Sequence, residues 1–194
     1  MERARMNRSG FVRSTAAAAA AVAFLRRGAL GATMAQGEPV LSALVATIVP
    51  IGQAQFPPIG TPLIVARIDA LYHLSTDPVF GASLQVFDNL AGFAVPSPTL
   101  LKLEQMTLRD GLLAALQRRD ATSFEASKLD PSSKFIELST DDRTRYLGLW
   151  QHSAFNTRRR FYQSIRAATY AALYSMPESW NAIGYAGPLI GTMR

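Results

Sequence analysis

The chain has 194 residues, no cysteine and a formal net charge of +6. Without thiols there is no disulfide framework, Fe–S cluster, thiolate zinc site or C-x-x-C-H haem attachment. A hydrophobic share of 48% beside 18% charged residues excludes a disordered chain, and no run of about 18 apolar residues marks a spanning helix.

The positive charge is concentrated at the start. Arg3, Arg5, Arg8, Arg13, Arg26 and Arg27 face only Glu2, and without residues 1–35 the net charge falls to +1. A nucleic-acid-binding domain would keep its basic patch after that subtraction, so no nucleic-acid partner is expected. Residues 1–35 have the build of an export signal: a basic opening, an apolar stretch over 14–25, then small residues with Thr33-Met34-Ala35 as a cleavage site. The run Asn7-Arg8-Ser9-Gly10-Phe11-Val12-Arg13 resembles the twin-arginine export motif. Arg8, Phe11 and Arg13 match it, while Ser9 replaces the second arginine and makes the motif degenerate. Arg26-Arg27 behind the apolar stretch disfavours the general secretory route. An ordinary first helix is the alternative, but six consecutive alanines give helix propensity with little core volume. The expectation is export to the periplasm, with 36–194 as the folded domain.

That domain reads as helices, because proline behind a capping residue recurs along it. Gly37-Glu38-Pro39 opens a helix with Leu41, Leu44, Val45 and Ile48 on one stripe, closed by Pro50. The segment 51–60, "IGQAQFPPIG", has no period and connects onward, either as a plain surface loop or as one shaped to lie on another protein. Thr61-Pro62 opens a second helix with Ile64, Ile68 and Leu71 inward. Asp77-Pro78 opens a third with Phe80, Leu84, Phe87 and Ala91 inward, and Ser97-Pro98 a short fourth. A fifth spans 108–117 with Leu108, Leu112, Leu113 and Leu116 inward. Residues 120–134 are polar and without a period, which predicts a loop or short turns. Ser139-Thr140-Asp141-Asp142 resembles a capping box ahead of a helix with Leu147 and Trp150 inward. The last long helix covers 157–174, with Phe161, Ile165, Ala168 and Ala172 inward. No β-alternating run appears. The fold class expected is all-α: a single compact helical domain of about six helices with an extended, aromatic, Gly/Pro-rich C-terminal tail.

Catalytic chemistry is hard to assemble from these residues. His73 and His152 are far apart in sequence, and neither is expected to belong to a metal-ligand set. Asp141 and Asp142 are adjacent, so they do not face each other on a helix; capping and the helix dipole explain them. Arg158-Arg159-Arg160 is expected on the solvated or interface side of the final helix, with phosphate or acidic-lipid binding as the alternative. The glycines at 184, 187 and 191 do not form G-x-G-x-x-G and follow a helix rather than a strand. No catalytic, cofactor-binding or metal residue is expected in this chain.

The tail "MPESWNAIGYAGPL", residues 176–189, carries one charge, Glu178. Pro177 stops the long helix, Ser179-Trp180 fits one further turn, and Gly184 allows a sharp turn ahead of Tyr185 and Pro188. Folding back onto the chain's own helices is one reading; lack of charge over 183–193 points to burial on both sides. From Tyr146 onward the sequence resembles the closing region of gluconate 2-dehydrogenase subunit 3-like proteins, small subunits of glucose-methanol-choline (GMC) flavoprotein dehydrogenases. It is also similar to the N-terminal helical region of long-chain fatty alcohol oxidases. Trp150, Ser153, Pro177, Trp180, Ile183, Gly184, Tyr185, Gly187 and Pro188 match the shared pattern W-x-x-S…P-x-W-x-x-[IL]-G-Y-x-G-P. "LVATIVP" followed by "FPPIG" matches the family's opening more loosely.

The resemblance implies a partner rather than an activity. It implies a small subunit without flavin that binds, stabilises and helps export a catalytic GMC-type subunit carrying FAD, with a cytochrome c subunit as a further member of the complex. Membrane association would be peripheral or through the complex. The interface residues it implies are Trp180, Ile183, Gly184, Tyr185, Gly187 and Pro188, with Phe56 and Pro57 from the connecting loop. The alternatives are an independent helical ligand binder with a cavity near His152 and Tyr185, and a peripheral lipid-surface protein using residues 158–160.

Overall fold

Proline and short polar caps mark where several helices of this chain begin. A computed structural model of the protein describes residues 34–49, 59–73, 77–105 and 112–180. Over those residues run α1 (Met34–Ile48), α2 (Thr61–Tyr72), α3 (Pro78–Asp88), α4 (Ala91–Ala94), α5 (Pro98–Gln105), α6 (Leu112–Ser127), α7 (Thr140–His152), α8 (Asn156–Tyr174) and α9 (Pro177–Trp180). A 3-10 turn, Phe135–Glu137, precedes α7. The described residues contain no strand, only an isolated antiparallel bridge between Asn89 and Lys134. The fold is a compact all-α domain.

The caps act as their chemistry requires. Asp77 Oδ1 accepts the Phe80 N–H at 3.4 Å, and Ser97 Oγ accepts the Leu100 N–H at 3.3 Å. Ser139 Oγ accepts the Asp142 N–H at 3.2 Å and donates to the Asp142 carboxylate at 2.9 Å, which fixes the start of α7. Helix α1 differs from the expected start, since it begins at Met34 and carries Pro39 inside it. Proline there removes one helical hydrogen bond. A Cβ added to Gly37 would meet Leu84 Cδ1 at 2.9 Å, so a larger residue there would push the end of the Leu84 side chain aside.

Helix α1 lies at the centre, packed against α2, α3, α7, α8 and the 3-10 turn. Leu41, Leu44 and Val45 bury as expected, and Ile48 is half-buried. Ile64 and Ile68 also bury, but Leu71 is 41% exposed because the bundle ends before α2 does; residues 70–73 all face outward. Phe80, Leu84 and Phe87 bury on α3. Ala91 does not, since α3 stops at Asp88 and Ala91 opens the separate α4, its N–H bonded to Asn89 Oδ1 at 3.1 Å.

The largest departure concerns residues 120–134. Helix α6 runs straight through to Ser127 and buries Asp120 and Phe124, while Leu112 is exposed. The inward stripe does continue with helical period, through Leu113, Leu116, Asp120 and Phe124; an aspartate fills one of its positions. Leu108 lies outside the described residues.

Aromatic rings fill the middle of the core. The Phe87 ring has the rings of Phe135, Trp150, Tyr146 and Phe161 at centroid distances of 4.8, 4.9, 5.2 and 5.6 Å. The Tyr146 hydroxyl, wholly buried, donates to the Phe87 carbonyl at 3.1 Å and ties α7 to α3. Arg143 holds the 3-10 turn, donating to the Phe135 and Ile136 carbonyls at 3.2 and 2.6 Å. Burial pushes the Tyr146 phenol well above its ordinary pKa. The folded state therefore keeps this proton where the unfolded chain, titrating near ~10, releases it. Stability from this group is complete below about pH 10 and declines as pH rises towards the folded pKa. In urea titrations Tyr146→Phe is expected to lose about 1 kcal/mol at neutral pH. Between about pH 10 and 11.5 it should show a shallower alkaline loss than the wild type; equal slopes would contradict this account.

Candidate partner-docking surface

Among the described residues no group of three His, Cys, Asp or Glu side chains could hold a metal ion, and no helix is long and apolar enough to cross a membrane. His73 ends α2 in the left-handed region at φ 52°, and His152 is the last residue of α7; both are exposed and on different elements.

The arginine triplet at the start of α8 does not form the solvated or interface face expected of it. Arg158 is 1% exposed and Asp120 2%. Their ion pair closes at 2.7 Å, and Arg158 also donates to the Gly92 and Phe93 carbonyls, each at 3.0 Å. Its guanidinium lies 4.1 Å from the Phe93 ring centroid, 5.0 Å from Phe155 and 5.9 Å from Trp150. Asp120 accepts two further bonds, from the Ser153 hydroxyl at 2.5 Å and the Ala154 N–H at 2.6 Å. Burial lowers the Arg158 pKa and the Asp120 carboxylate opposes that shift. The carboxylate and the guanidinium are both partnered, so the ion pair is a closed joint between α4, α6 and α8 rather than a ligand site.

The same joint starts α8. Phe155 precedes the helix and offers no capping side chain. Instead Glu104 on α5 accepts the Thr157 N–H and hydroxyl, both at 2.5 Å, and supplies negative charge at the helix start. Arg159 folds back onto the Ser153 and Ala154 carbonyls. Only Arg160 of the triplet is exposed.

The surface with apolar character lies at the other end of α8. Ser175 and Met176 turn the chain into α9, where the Ser179 hydroxyl donates to the Leu173 and Met176 carbonyls at 2.8 Å. Trp180 Nε1 donates to the Tyr174 carbonyl at 2.8 Å and holds a half-buried indole at the corner. Tyr174 is 49% exposed and stacks on Tyr170 at 5.8 Å, and Arg166 lies 5.6 Å over the Tyr170 ring. Beside the corner an open cleft of about 380 Å³ runs between α2 and α9, lined by Leu63, Ala66, Ala70, Met176 and Pro177 with Arg67 and Glu178. Arg67 Nε donates to Ser175 Oγ at 2.7 Å across it.

Of the interface residues the sequence singled out, Trp180 is the one described, and it stands at this corner. Phe56, Pro57, Ile183, Gly184, Tyr185, Gly187 and Pro188 lie outside the described residues, as do the export-signal residues Arg8, Phe11 and Arg13. The sequence reading missed the Arg166–Tyr170–Tyr174 ladder, although its i, i+4, i+8 spacing is visible, and it missed the cleft, which needs two distant elements. Comparison of the chain with protein-family models, with curated proteins and with solved structures finds no match.

Truncating one partner of the buried pair strands the other charge, so Asp120→Ala and Arg158→Ala are each expected to cost about 3–5 kcal/mol in chemical denaturation. Asp120→Leu combined with Arg158→Met should lose far less than the sum of the two truncations. Additive losses would mean that the pair is not coupled.

Proposed function

We propose that this chain is a non-catalytic small subunit that binds, stabilises and helps export an FAD-containing GMC-type dehydrogenase subunit to the periplasm. The observation that carries the reading is the corner at Trp180. A tryptophan whose indole N–H is bonded to the Tyr174 carbonyl, beside an exposed tyrosine and an apolar cleft, stands within the segment whose sequence resembles the GMC small subunits. Large, pre-positioned aromatics of this type dominate protein interfaces. Electrons would leave the flavoprotein through a cytochrome or quinone and not through this chain. The lipid-surface alternative loses ground, because burial of Arg158 and the inward fold of Arg159 leave its basic triplet with one outward cation.

Expression of the GMC-type flavoprotein that this reading expects to be encoded beside this chain, with and without it, tests the proposal. Alone, the flavoprotein should be poorly soluble or poor in flavin, and co-expression should restore both; full folding and activity alone would refute the role. Trp180→Ala should weaken the complex by about 2 kcal/mol in a calorimetric titration while shifting the small subunit's own Tm little. Unchanged affinity would remove Trp180 as an anchor.

A further inference from the structure

We infer that the outer face of α8 continues the docking corner and receives an acidic protein surface, with Arg160 and Arg166 as its charged contacts and Tyr170 and Tyr174 as its anchors. The inference rests on the small-subunit reading above and adds to it the part of the folded body used and the charge of the partner's patch.

Helix α8 contains four arginines and no carboxylate. Two of them serve the fold, Arg158 inside the core and Arg159 on the carbonyls that precede the helix. Arg160 and Arg166 remain outward and take no part in the ion pairs Arg158–Asp120 and Arg145–Asp142. At 3.6 residues per turn, Tyr170 and Tyr174 project between Arg166 and Arg160 around the helix. The rest of this exposed face is Gln163, Ser164 and Ala167, all uncharged, and Ser164 and Ala167 are short enough to let another backbone approach. Arg67, at the corner, adds a third cation next to Ser175, in a cleft that also holds the single carboxylate of Glu178. Arginine and tyrosine around a low-relief strip make the residue set enriched at interface centres, and the excess of cations calls for carboxylates opposite.

A membrane is a poorer occupant. An interfacial helix needs a broad apolar face to enter the acyl boundary, and on α8 that face is turned inward, with Ile165, Thr169, Ala172 and Leu173 buried.

The test uses the full chain and the co-expressed flavoprotein subunit, with affinity measured by surface interferometry at several salt concentrations. The Arg160→Glu/Arg166→Glu double variant is expected to weaken the complex at least ~10-fold and to flatten its salt dependence. Tyr174→Ala should weaken it about tenfold. Lys128→Glu, an exposed change at the end of α6, should leave affinity unchanged. All these side chains are exposed, and circular dichroism melts are to check that each variant folds. Unchanged affinity in the double variant, in a complex that Trp180→Ala still weakens, would overturn this inference and leave the small-subunit reading standing. Failure of the wild type itself to bind the flavoprotein would remove both. Flotation of the wild type with phosphatidylserine vesicles, lost in the double variant, would also overturn it, as would a homodimer dissolved by Tyr174→Ala.

Discussion

The ion pair between Asp120 and Arg158 is the constraint on which the second half of the fold depends. Taking two charges out of water costs several kcal/mol per ion even after relaxation, so such a pair persists only where geometry and extra hydrogen bonds are complete. Here they are: the carboxylate accepts from Ser153, Ala154 and Arg158, and the guanidinium reaches two carbonyls and three aromatic rings. Each of those bonds joins parts of the chain far apart in sequence. Helix α6, the α7–α8 connection, the start of α8 and the end of α4 can meet in only one way if all are to be satisfied. We hypothesise that the pair's contribution lies more in this uniqueness than in net stability, since apolar packing would stabilise without selecting a register.

Around that joint the apolar core supplies the energy. Phe87 has four rings about it, and Phe93 touches both Trp150 and the Arg158 guanidinium. Edge and tilted aromatic contacts add about 0.5–1.5 kcal/mol per pair beyond area burial. The polar joint and the aromatic core are therefore one structure: the rings that desolvate the ion pair also face it with their negative π-clouds.

Helix existence was legible wherever a cap and an apolar period agreed, as at Asp77-Pro78, Ser97-Pro98 and Ser139. Legibility failed where a charged residue occupied a core position. Asp120 broke the visible stripe of α6, and Arg158 was hidden in a triplet that resembles a solvated face. Neither can be assigned alone, because each is buried only by virtue of the other, 38 residues away. The start of α8 failed for a similar reason: its cap, Glu104, comes from α5 and not from the preceding residue. For the candidate surface, Trp180 was readable as an aromatic in a Pro-punctuated turn. The cleft was not, since Leu63 and Pro177 meet only after folding.

One helix connects the hidden and outward chemistry. Arg158 fixes the first turn of α8 from inside, and Ile165, Thr169, Ala172 and Leu173 seat the rest of it. The Thr169 hydroxyl closes on the Ile165 carbonyl at 2.8 Å, so even the buried polar atom on that face is satisfied within the helix. The outward residues of the same helix therefore inherit fixed positions. A ladder carried on a seated helix loses little further freedom when a partner arrives, and the entropic cost of ordering side chains, about 0.5–1.5 kcal/mol each, is partly met in folding. The Trp180 hydrogen bond to Tyr174 extends that order around the corner. If the small-subunit reading holds, the chain acts less by providing chemistry than by presenting a rigid cationic and aromatic edge, and the buried charge pair is what keeps that edge in register.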